Sequence, residues 1–540
     1  IVVYGTGQDD LLEITFTSEN EATFVLTRDV TGTPVILDTV VLTDITSITF
    51  NGLDGDDVLV LNQPDNGFAN PSGGIFFNGG SQSNDGNYLN NATGGDTLVL
   101  NHAVPLEADS VAYVFTPDAV PAEGEDGVIT ISDVTLSDLT TTISFTGLEP
   151  IIDNLLVSDR DFDFTDADEI ISLSDDGNAG DNYSYIDSTH SESVRFLNPT
   201  TSITIRTDSL GTPVGVDTIQ VDTLDSLFDA SLTILAGADD SVTFQTTTNL
   251  VTGDLLITAE SVDILADISA ASVDISTSGV TSTTFNGGTV STTGSQLYNN
   301  AVNFVTNSTL TSSNGDTIEF VSTVDGSIDL VINTTGSTIF GDVVGNIQAL
   351  TTLTTNTGGI TYLNGGIVNT TGSQIYNDDV ILGANTVLTS TATADIIFNM
   401  TLNGTFTLEI NTDSDTTFNG TVGNDSALAS LITDADGITN INGGSIDTIG
   451  SQTFNDEVLL GADTRLESSS SGNITFNSLL DGSFNLVVNT VGNTNFEDIV
   501  GDTAALTSLT TNTGGITNIN GGSVRTTGSQ TYHDDVVLGV

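Results

Sequence analysis

The sequence TGSQLYNN occupies residues 293–300, and close copies follow as TGSQIYNDD (371–379), IGSQTFNDE (449–457) and TGSQTYHDD (527–535). The central glycines of the four copies are each separated by 78 positions, and they are Gly294, Gly372, Gly450 and Gly528. A tandem array without insertions indicates a stack of similar units, because each unit buries its apolar face only against the next one. The repeat therefore favours a structural or binding protein over an enzyme.

Aromatic residues recur inside every copy of the repeat. One returns two positions beyond the Gln of each motif, as Tyr298, Tyr376, Phe454 and Tyr532. In the first copy, Phe320 and Phe340 follow Tyr298 at intervals of 22 and 20 residues. This spacing predicts coils of roughly 20 residues, about four per repeat, which suits a right-handed parallel β-helix with a rise of about 4.8 Å per coil. We expect the aromatic rings to stack in the core; the alternative, a sugar-binding platform, is less favoured.

Glycine and asparagine mark the corners of the predicted coils. Asn-Gly-Gly recurs at 286–288, 364–366, 442–444 and 520–522, and these residue types tolerate a positive φ. The Thr-Gly-Ser-Gln motif is predicted to be a corner as well. Asn333, Asn411 and Asn489 are also 78 positions apart, and we expect them to stack and exchange side-chain amide hydrogen bonds.

The whole chain is predicted to be all-β, with three parts. Short alternations such as Ser-Ile-Thr-Phe (47–50) recur, and no long helical periodicity is present. Residues 1–244 are predicted to form an acidic β region with Gly-Asp turns, either β-sandwich-like or an irregular β-helix. Residues 245–280 are interpreted as transition coils, and residues 281–540 as the regular parallel β-helix. Because the last repeat has barely begun at Val540, we expect the chain to be a piece of a longer exported polypeptide.

Composition limits the classes of partner. The net charge is −66, from 72 acidic and only 6 basic residues, so nucleic acids and anionic lipids are disfavoured partners. No apolar run is long enough to predict a membrane-spanning helix. The chain contains no cysteine, which excludes disulfides and thiol chemistry. The acidic surface is interpreted as an adaptation to saline water or as a defence against self-association, with specific calcium sites as the second interpretation.

Several Gly-Asp segments are candidate calcium sites. Residues 5–11 and 52–59 approximate the calcium-binding nonapeptide G-G-x-G-x-D-x-U-x, in which Asp and carbonyl oxygens surround the ion. Residues 94–98 and 236–242 are weaker versions, and residues 175–181 place several acids around a glycine. Simple Gly-Asp turns between strands are the alternative. The candidate ligands are Asp9, Asp57, Asp96, Asp175, Asp181 and Asp240.

Two segments carry a resemblance to a known class of proteins. The segment SITFNGLDGDDVLVLN (47–62) resembles modules of very large, repetitive, exported bacterial proteins with calcium-nonapeptide-like segments. The segment GGSVRTTGSQTYHDDVVLG (521–539) resembles the repeats of filamentous-haemagglutinin-like adhesins. The resemblance implies a parallel β-helix stalk and an extracellular location at the bacterial cell surface.

No catalytic constellation stands out in the sequence. The three histidines are scattered, and neither a G-x-S-x-G motif nor a lysine is present. We therefore predict a non-enzymatic structural protein, an elongated stalk or extracellular fibre for adhesion or matrix. Its expected partners are other copies of itself, other cell-surface components or glycans. A self-assembling sheath, S-layer or filament subunit is the first alternative. A β-helix polysaccharide-degrading enzyme is the second, with Arg160, Arg195 and Arg206 as its candidate basic residues.

Overall fold

A computed structural model shows two compact units, Ile1–Thr281 (unit 1) and Ser282–Val540 (unit 2). Within the described residues the chain is built of β-strands, apart from one short 3₁₀ helix at Leu42–Asp44. None of these residues form a helix long and apolar enough to span a membrane. The residues that the structure describes are 1–18, 21–28, 32–64, 68, 71–81, 95–102, 108–116, 125–133, 139–148, 150–165, 168–207, 215–277 and 282–539.

Unit 1 is a parallel β-solenoid interrupted by antiparallel hairpins. Antiparallel pairing joins Asp10–Ser18 to Glu21–Arg28, Ala108–Thr116 to Glu125–Asp133, and Ile170–Asp175 to Tyr183–Ser188. From Thr218 onwards the described strand pairs are parallel. The prediction of an all-β chain is thus confirmed, with a mixed sheet before Thr218 and a parallel solenoid after it.

The strands of unit 1 belong to three ladders. The first contains Val2–Tyr4, Ile48–Asp54, Ile75–Ser81, Ala108–Thr116, Glu125–Asp133, Leu139–Leu148, Val157–Phe164, Ser202–Thr207, Ser231–Leu235, Leu255–Ala259 and Val273–Thr277. The second contains Asp10–Ser18, Glu21–Arg28, Val35–Val41, Val58–Gln63, Thr97–His102, Ile151–Asp153, Ile170–Asp175, Tyr183–Ser188, Val194–Leu197, Thr218–Val221, Ser241–Phe244 and Ser261–Ile264. The third contains Thr248–Asn249 and Ile268–Ala270.

Unit 2 is a parallel solenoid with three faces. The first face contains Thr283–Phe285, Val302–Phe304, Val324–Asp325, Ile367–Thr370, Thr386–Ser390, Thr407–Thr412, Ser430–Thr433, Gln452–Phe454, Ile474–Phe476, Thr494–Phe496, Ile516–Ile519 and Asp535–Leu538. The second contains Thr289–Thr292, Ser308–Ser312, Asp329–Thr334, Thr352–Thr355, Gln374–Tyr376, Ile396–Phe398, Thr416–Phe418, Ile438–Ile441, Glu457–Leu460 and Leu480–Asp481. The third contains Gln296–Tyr298, Ile318–Phe320, Ser337–Phe340, Ile360–Leu363, Asp379–Leu382, Leu402–Asn403, Ser445–Thr448, Thr464–Ser468, Asn485–Thr490, Ser508–Thr511 and Gln530–Tyr532.

Alternation of buried and outward side chains explains these short strands. In Asp329–Thr334, for example, Leu330 and Ile332 are fully buried, whereas Val331 and Asn333 point outward. The period of two places one row of every strand in the core of its coil. Val344, Val422 and Val500 each continue one face through isolated parallel bridges, at places where that face lacks a regular strand.

The repeat does not contain a whole number of coils. On the third face, the strand that contains Gln296 is connected to the strand that contains Gln530 by 11 successive strand pairings. Each pairing joins one coil to the next, so three repeats contain 11 coils. One repeat is therefore three and two-thirds coils of about 21 residues, advancing about 18 Å at the usual spacing of parallel strands. The prediction of about four coils of roughly 20 residues was close to these values, but it did not reveal the fractional coil. The two aromatic intervals measure the length of only two coils in a repeat. The coil from Val344 to Val368 is longer, because it contains a surface loop.

Equivalent residues consequently rotate by one face in each repeat. Gln296 lies on the third face, Gln374 on the second, Gln452 on the first, and Gln530 on the third again. The predicted stack of Asn333, Asn411 and Asn489 was wrong for the same reason, because the three residues lie on three different faces.

Asparagines do form a ladder, at positions that the repeat did not indicate. Asn399 donates to Asn377 Oδ1 (2.7 Å), and Asn419 donates to Asn399 Oδ1 (2.8 Å). Asn442 in turn donates to Asn419 Oδ1 (2.8 Å). Amide side chains thus connect neighbouring coils when they are about one coil apart in sequence.

Candidate functional site

The Thr-Gly-Ser-Gln motif forms a corner whose glutamine side chain is buried. Gln374 Nε2 lies 3.2 Å from Val368 O, 3.3 Å from Thr370 Oγ1 and 3.0 Å from Thr389 O. The Tyr376 hydroxyl donates to Gln374 Oε1 at 3.0 Å. One side chain thus satisfies polar groups of its own coil and of the next, which closes the corner. The prediction that the motif is a corner of a coil agrees with this geometry.

The same hydrogen bonds recur in the other copies, with one exception, although Gln530 of the fourth copy is exposed. Gln296 and Gln530 each accept a hydrogen bond from the tyrosine two residues further on, Tyr298 and Tyr532. In the third copy the aromatic residue is Phe454, which has no hydroxyl, and Gln452 Oε1 is buried without a hydrogen-bond partner. A buried unsatisfied acceptor is destabilising, so the third corner is weaker than its counterparts.

Close contact with the preceding coil explains the glycine of the motif. The Gly372 N–H donates to Thr351 O at 2.7 Å, and a Cβ at Gly372 would lie 2.7 Å from that same oxygen. Gly450 and Gly528 approach the preceding coil in the same way, through Ala429 O and Thr507 O. A side chain at this position would therefore push neighbouring coils apart.

The two residues after the aromatic position bind the preceding coil. Asn377 Nδ2 donates to Thr355 O at 2.7 Å. The buried Asp378 carboxylate accepts hydrogen bonds from the hydroxyls of Thr355 (2.7 Å) and Thr361 (2.9 Å to Oδ1). These threonines end one strand and lie within the next, so Asp378 ties both sides of the corner together. We call this arrangement the aspartate lock.

The aspartate lock is repeated in later copies. Asp456 accepts from Thr433 (2.8 Å) and Thr439 (2.9 Å), and Asp534 accepts from Thr511 (2.8 Å). Sequence reasoning missed this role, although the recurrence of an acid four residues after the glutamine was the available signal. In the first copy the position is Asn300.

The repeated aromatic residues form short stacks in the core. Tyr298 stacks on Phe320 with ring centroids 5.2 Å apart, and Phe320 stacks on Phe340 at 5.6 Å. The second and third copies repeat the arrangement with Tyr376, Phe398 and Phe418, and with Phe454, Phe476 and Phe496. These rings are buried, so they serve core packing, and no sugar could stack on them.

Unit 1 contains a column of buried aspartates that includes two predicted calcium ligands. Asp57 Oδ1 accepts the N–H of Asp10 at 2.7 Å, and Asp96 Oδ1 accepts the N–H of Asp57 at 2.7 Å. Asp10 begins a strand, and Asp57 and Asp96 each lie immediately before a strand of the same ladder. The carboxylates therefore satisfy the backbone N–H groups at the strand starts of neighbouring coils.

The second carboxylate oxygen of Asp57 and of Asp96 is buried without a hydrogen-bond partner. Each oxygen faces a glycine: a Cβ at Gly52 would collide with Asp57 Oδ2, and a Cβ at Gly79 would collide with Asp96 Oδ2. A carbonyl oxygen of the adjacent coil, that of Gly79 or Gly147, faces the same glycine in each case. Burial raises the pKa of Asp57 and the pKa of Asp96 to about 7.

The other predicted calcium ligands do not belong to this hydrogen-bonded column. Asp240 is buried in a similar arrangement, where its Oδ1 accepts the N–H of Asp217 at 2.7 Å. Asp9 is exposed and accepts the N–H of Asp56 at 3.1 Å. Asp175 accepts the N–H of Gly177 at 2.6 Å, as expected for a turn. Asp181 pairs with Arg195, whose guanidinium also contacts Asp176 and covers the Tyr183 ring.

Calcium normally takes six to eight oxygen ligands. Among the residues that the structure describes, no group of three or more acidic or histidine side chains is arranged to hold a metal ion. At Asp57 and at Asp96 the oxygens identified beside each glycine are one carboxylate and one carbonyl. These oxygens alone do not complete a calcium shell, and calcium binding stays a prediction.

Arg160, a candidate basic residue for an enzyme, is enclosed in the core of unit 1. Its side chain is fully buried and forms an ion pair with Asp153. It also donates from Nε to Leu197 O (3.0 Å) and from Nη2 to Leu155 O (2.7 Å). Tyr113 donates to the same Asp153 carboxylate. Arg160 therefore cannot contact a substrate, and Arg206 is engaged by Asp161 and Asp163.

Comparison with known proteins adds no relative to this picture. No protein-family model matches the chain, and no curated protein is significantly similar to it in sequence. The described geometry is therefore the basis for a functional proposal.

Proposed function

We propose that this chain is a structural protein of the bacterial cell surface, whose repeats form a stalk or an extracellular fibre for adhesion or matrix. The observation that carries the proposal is the use of the repeated motif. In the second and third copies the glycine approaches the preceding coil, the glutamine closes the corner, and the aromatic ring stacks in the core. The recurring residues thus hold neighbouring coils together. The same is true of repeat proteins, whose stability is approximately the sum of the contacts within and between neighbouring repeats.

The rotation of the repeat adds a property useful to such a protein. The loops that follow Val344, Val422 and Val500 interrupt the first, third and second faces respectively. Equivalent loops therefore point to three sides of unit 2 in three successive repeats. A stalk built in this way presents the same surface in every lateral direction, and extra repeats add reach without a new fold.

The extracellular location and the adhesive or matrix role rest on the resemblance of the repeats to those of exported adhesins. The high negative charge supports the same proposal, because it keeps neighbouring molecules apart in water. Calcium could bind such a surface, and the chelation experiment described below addresses that part of the proposal.

Electron microscopy of the purified chain tests the structural role. A stalk is expected to give single particles whose contour length grows by about 18 Å for each added repeat. Particles joined by a fixed axial or lateral contact would instead favour the self-assembling sheath, S-layer or filament subunit. A particle whose length does not change with the number of repeats would contradict both.

A further inference from the structure

The aspartate locks of unit 2 combine full burial with neutral hydrogen-bond donors. Asp378 and Asp456 are each 1% exposed. Their carboxylates accept hydrogen bonds from threonine hydroxyls: Thr355 and Thr361 for the first, Thr433 and Thr439 for the second. A buried carboxylate is normally paired with a cation, so the absence of one from these contacts needs a physical account.

The charged groups near the two locks do not compensate the negative charge. Asp379 acts on Asp378, and Asp434 acts on Asp456, and both are acids. The arginines of unit 2 are engaged elsewhere: Arg465 with Asp447 and Glu467, and Arg525 with Asp502. An ionised carboxylate in either lock is therefore buried in an environment that is neutral or negative.

We propose that Asp378 and Asp456 form an acid-responsive lock, which holds the coils of unit 2 together more tightly in mildly acidic surroundings than at neutral pH. A protonated carboxyl no longer carries a buried charge, and it still accepts a threonine hydroxyl through its carbonyl oxygen. The inference depends on the geometry of the corner and holds whether or not the solenoid serves as a stalk.

The direction of the effect follows from the pKa values. Burial raises the pKa of Asp378, and it raises the pKa of Asp456 to about 6. The folded state then binds protons more readily than the unfolded chain, in which an aspartate titrates near 4. The stability contributed by protonation is fully present below the unfolded pKa, and it is lost as the pH rises through the raised pKa of the folded state, which is about 6 for Asp456.

The experiment compares thermal unfolding between pH 4.5 and pH 7.5 by circular dichroism. The wild-type chain is expected to melt at a higher temperature at pH 5 than at pH 7.5. In Asp378→Asn/Asp456→Asn this rise should shrink by a few degrees, because the two titrating groups are gone. Asparagine at this position has a precedent in the chain, since the first copy carries Asn300.

A matched control removes two exposed acids of the same unit, as Asp425→Asn/Asp498→Asn. This variant loses the same charge and should keep the wild-type rise. The converse variant Asn300→Asp is expected to steepen the rise, which provides a test that does not depend on removing a lock. The proposal is overturned if the double lock variant keeps the full rise, or if the wild-type chain melts at a lower temperature in acid.

Discussion

The two units solve the same problem, the burial of polar groups in a narrow β-solenoid, with different chemistry. Unit 1 uses single networks of charged groups, such as Arg160 with Asp153 and the column formed by Asp10, Asp57 and Asp96. Unit 2 uses one corner of glutamine, tyrosine, threonine and aspartate, repeated every 78 residues. The comparison shows that a repeat can use the same set of hydrogen bonds at each equivalent corner. An irregular solenoid interrupted by hairpins instead needs a different polar network at each site.

The largest effect is expected from deletions that keep or break the repeat in unit 2. Removal of residues 372–449 joins equivalent positions and deletes one repeat. The remaining coils keep their neighbours, so the chain should fold with unit 2 shortened by about 18 Å. Thermal unfolding by circular dichroism and contour lengths from electron microscopy measure the two outcomes.

Removal of half a repeat, residues 372–410, is the control. It joins positions that belong to different parts of the coil, so core and corner residues no longer meet. We expect loss of cooperative unfolding, or aggregation. Aggregation of the whole-repeat deletion instead would contradict modular stacking.

The next effect concerns the buried charge of unit 1. Arg160→Met removes the cation and leaves the Asp153 carboxylate buried with Tyr113 as a donor. Breaking a buried pair in this way costs roughly 3 to 5 kcal/mol of unfolding free energy, which denaturant unfolding can measure. Arg206→Met is the matched control, because that side chain is about a third exposed and pairs with acids that are 22% and 29% exposed. Its cost should stay below about 1 kcal/mol, and equal losses in the two variants would contradict the burial argument.

Calcium removal distinguishes the two units in another way, because the predicted calcium ligands all lie in unit 1. If calcium binds there, a chelator in low-salt buffer should lower the melting temperature of the chain, and added calcium should restore it. Asp57→Asn should reduce this response if the buried column takes part. Asp9→Asn, at an exposed position, is the comparison for that variant. An unchanged melting curve in chelator would contradict the prediction that the chain binds calcium.

The repeat made much of unit 2 predictable from sequence. The 78-residue spacing identified the aromatic positions as core, and Tyr298 and Tyr376 do stack on phenylalanines of the next coil. The number of coils per repeat could not be obtained in this way, because a repeat length fixes the register only if every coil has the same length. The loops after Val344, Val422 and Val500 lengthen one coil in each repeat, so the coil lengths differ.

The role of acidic residues was the hardest part to predict. An aspartate in a very acidic chain is most simply read as a surface residue or a metal ligand. Asp378 is instead buried between two threonines, and Asp57 satisfies a backbone N–H at a strand start. Their partners come from neighbouring coils, 17 to 47 positions away in sequence. Local pattern alone therefore could not reveal them.

The smallest effect tests whether the corners of unit 2 are interchangeable. Phe454→Tyr adds the hydroxyl that the other copies have, next to the unpaired Gln452 Oε1. It should stabilise the chain by about 0.5 to 1.5 kcal/mol, the usual net value of a buried hydrogen bond. Tyr376→Phe makes the opposite change in the second copy and should destabilise it by a similar amount, because Gln374 Oε1 loses its donor. Denaturant unfolding of the two single variants and of the double variant measures both effects, and the changes should nearly cancel in the double variant because the sites lie several coils apart. A destabilising Phe454→Tyr would mean that the third corner has no room for the hydroxyl, and that the four copies differ in packing as well as in sequence.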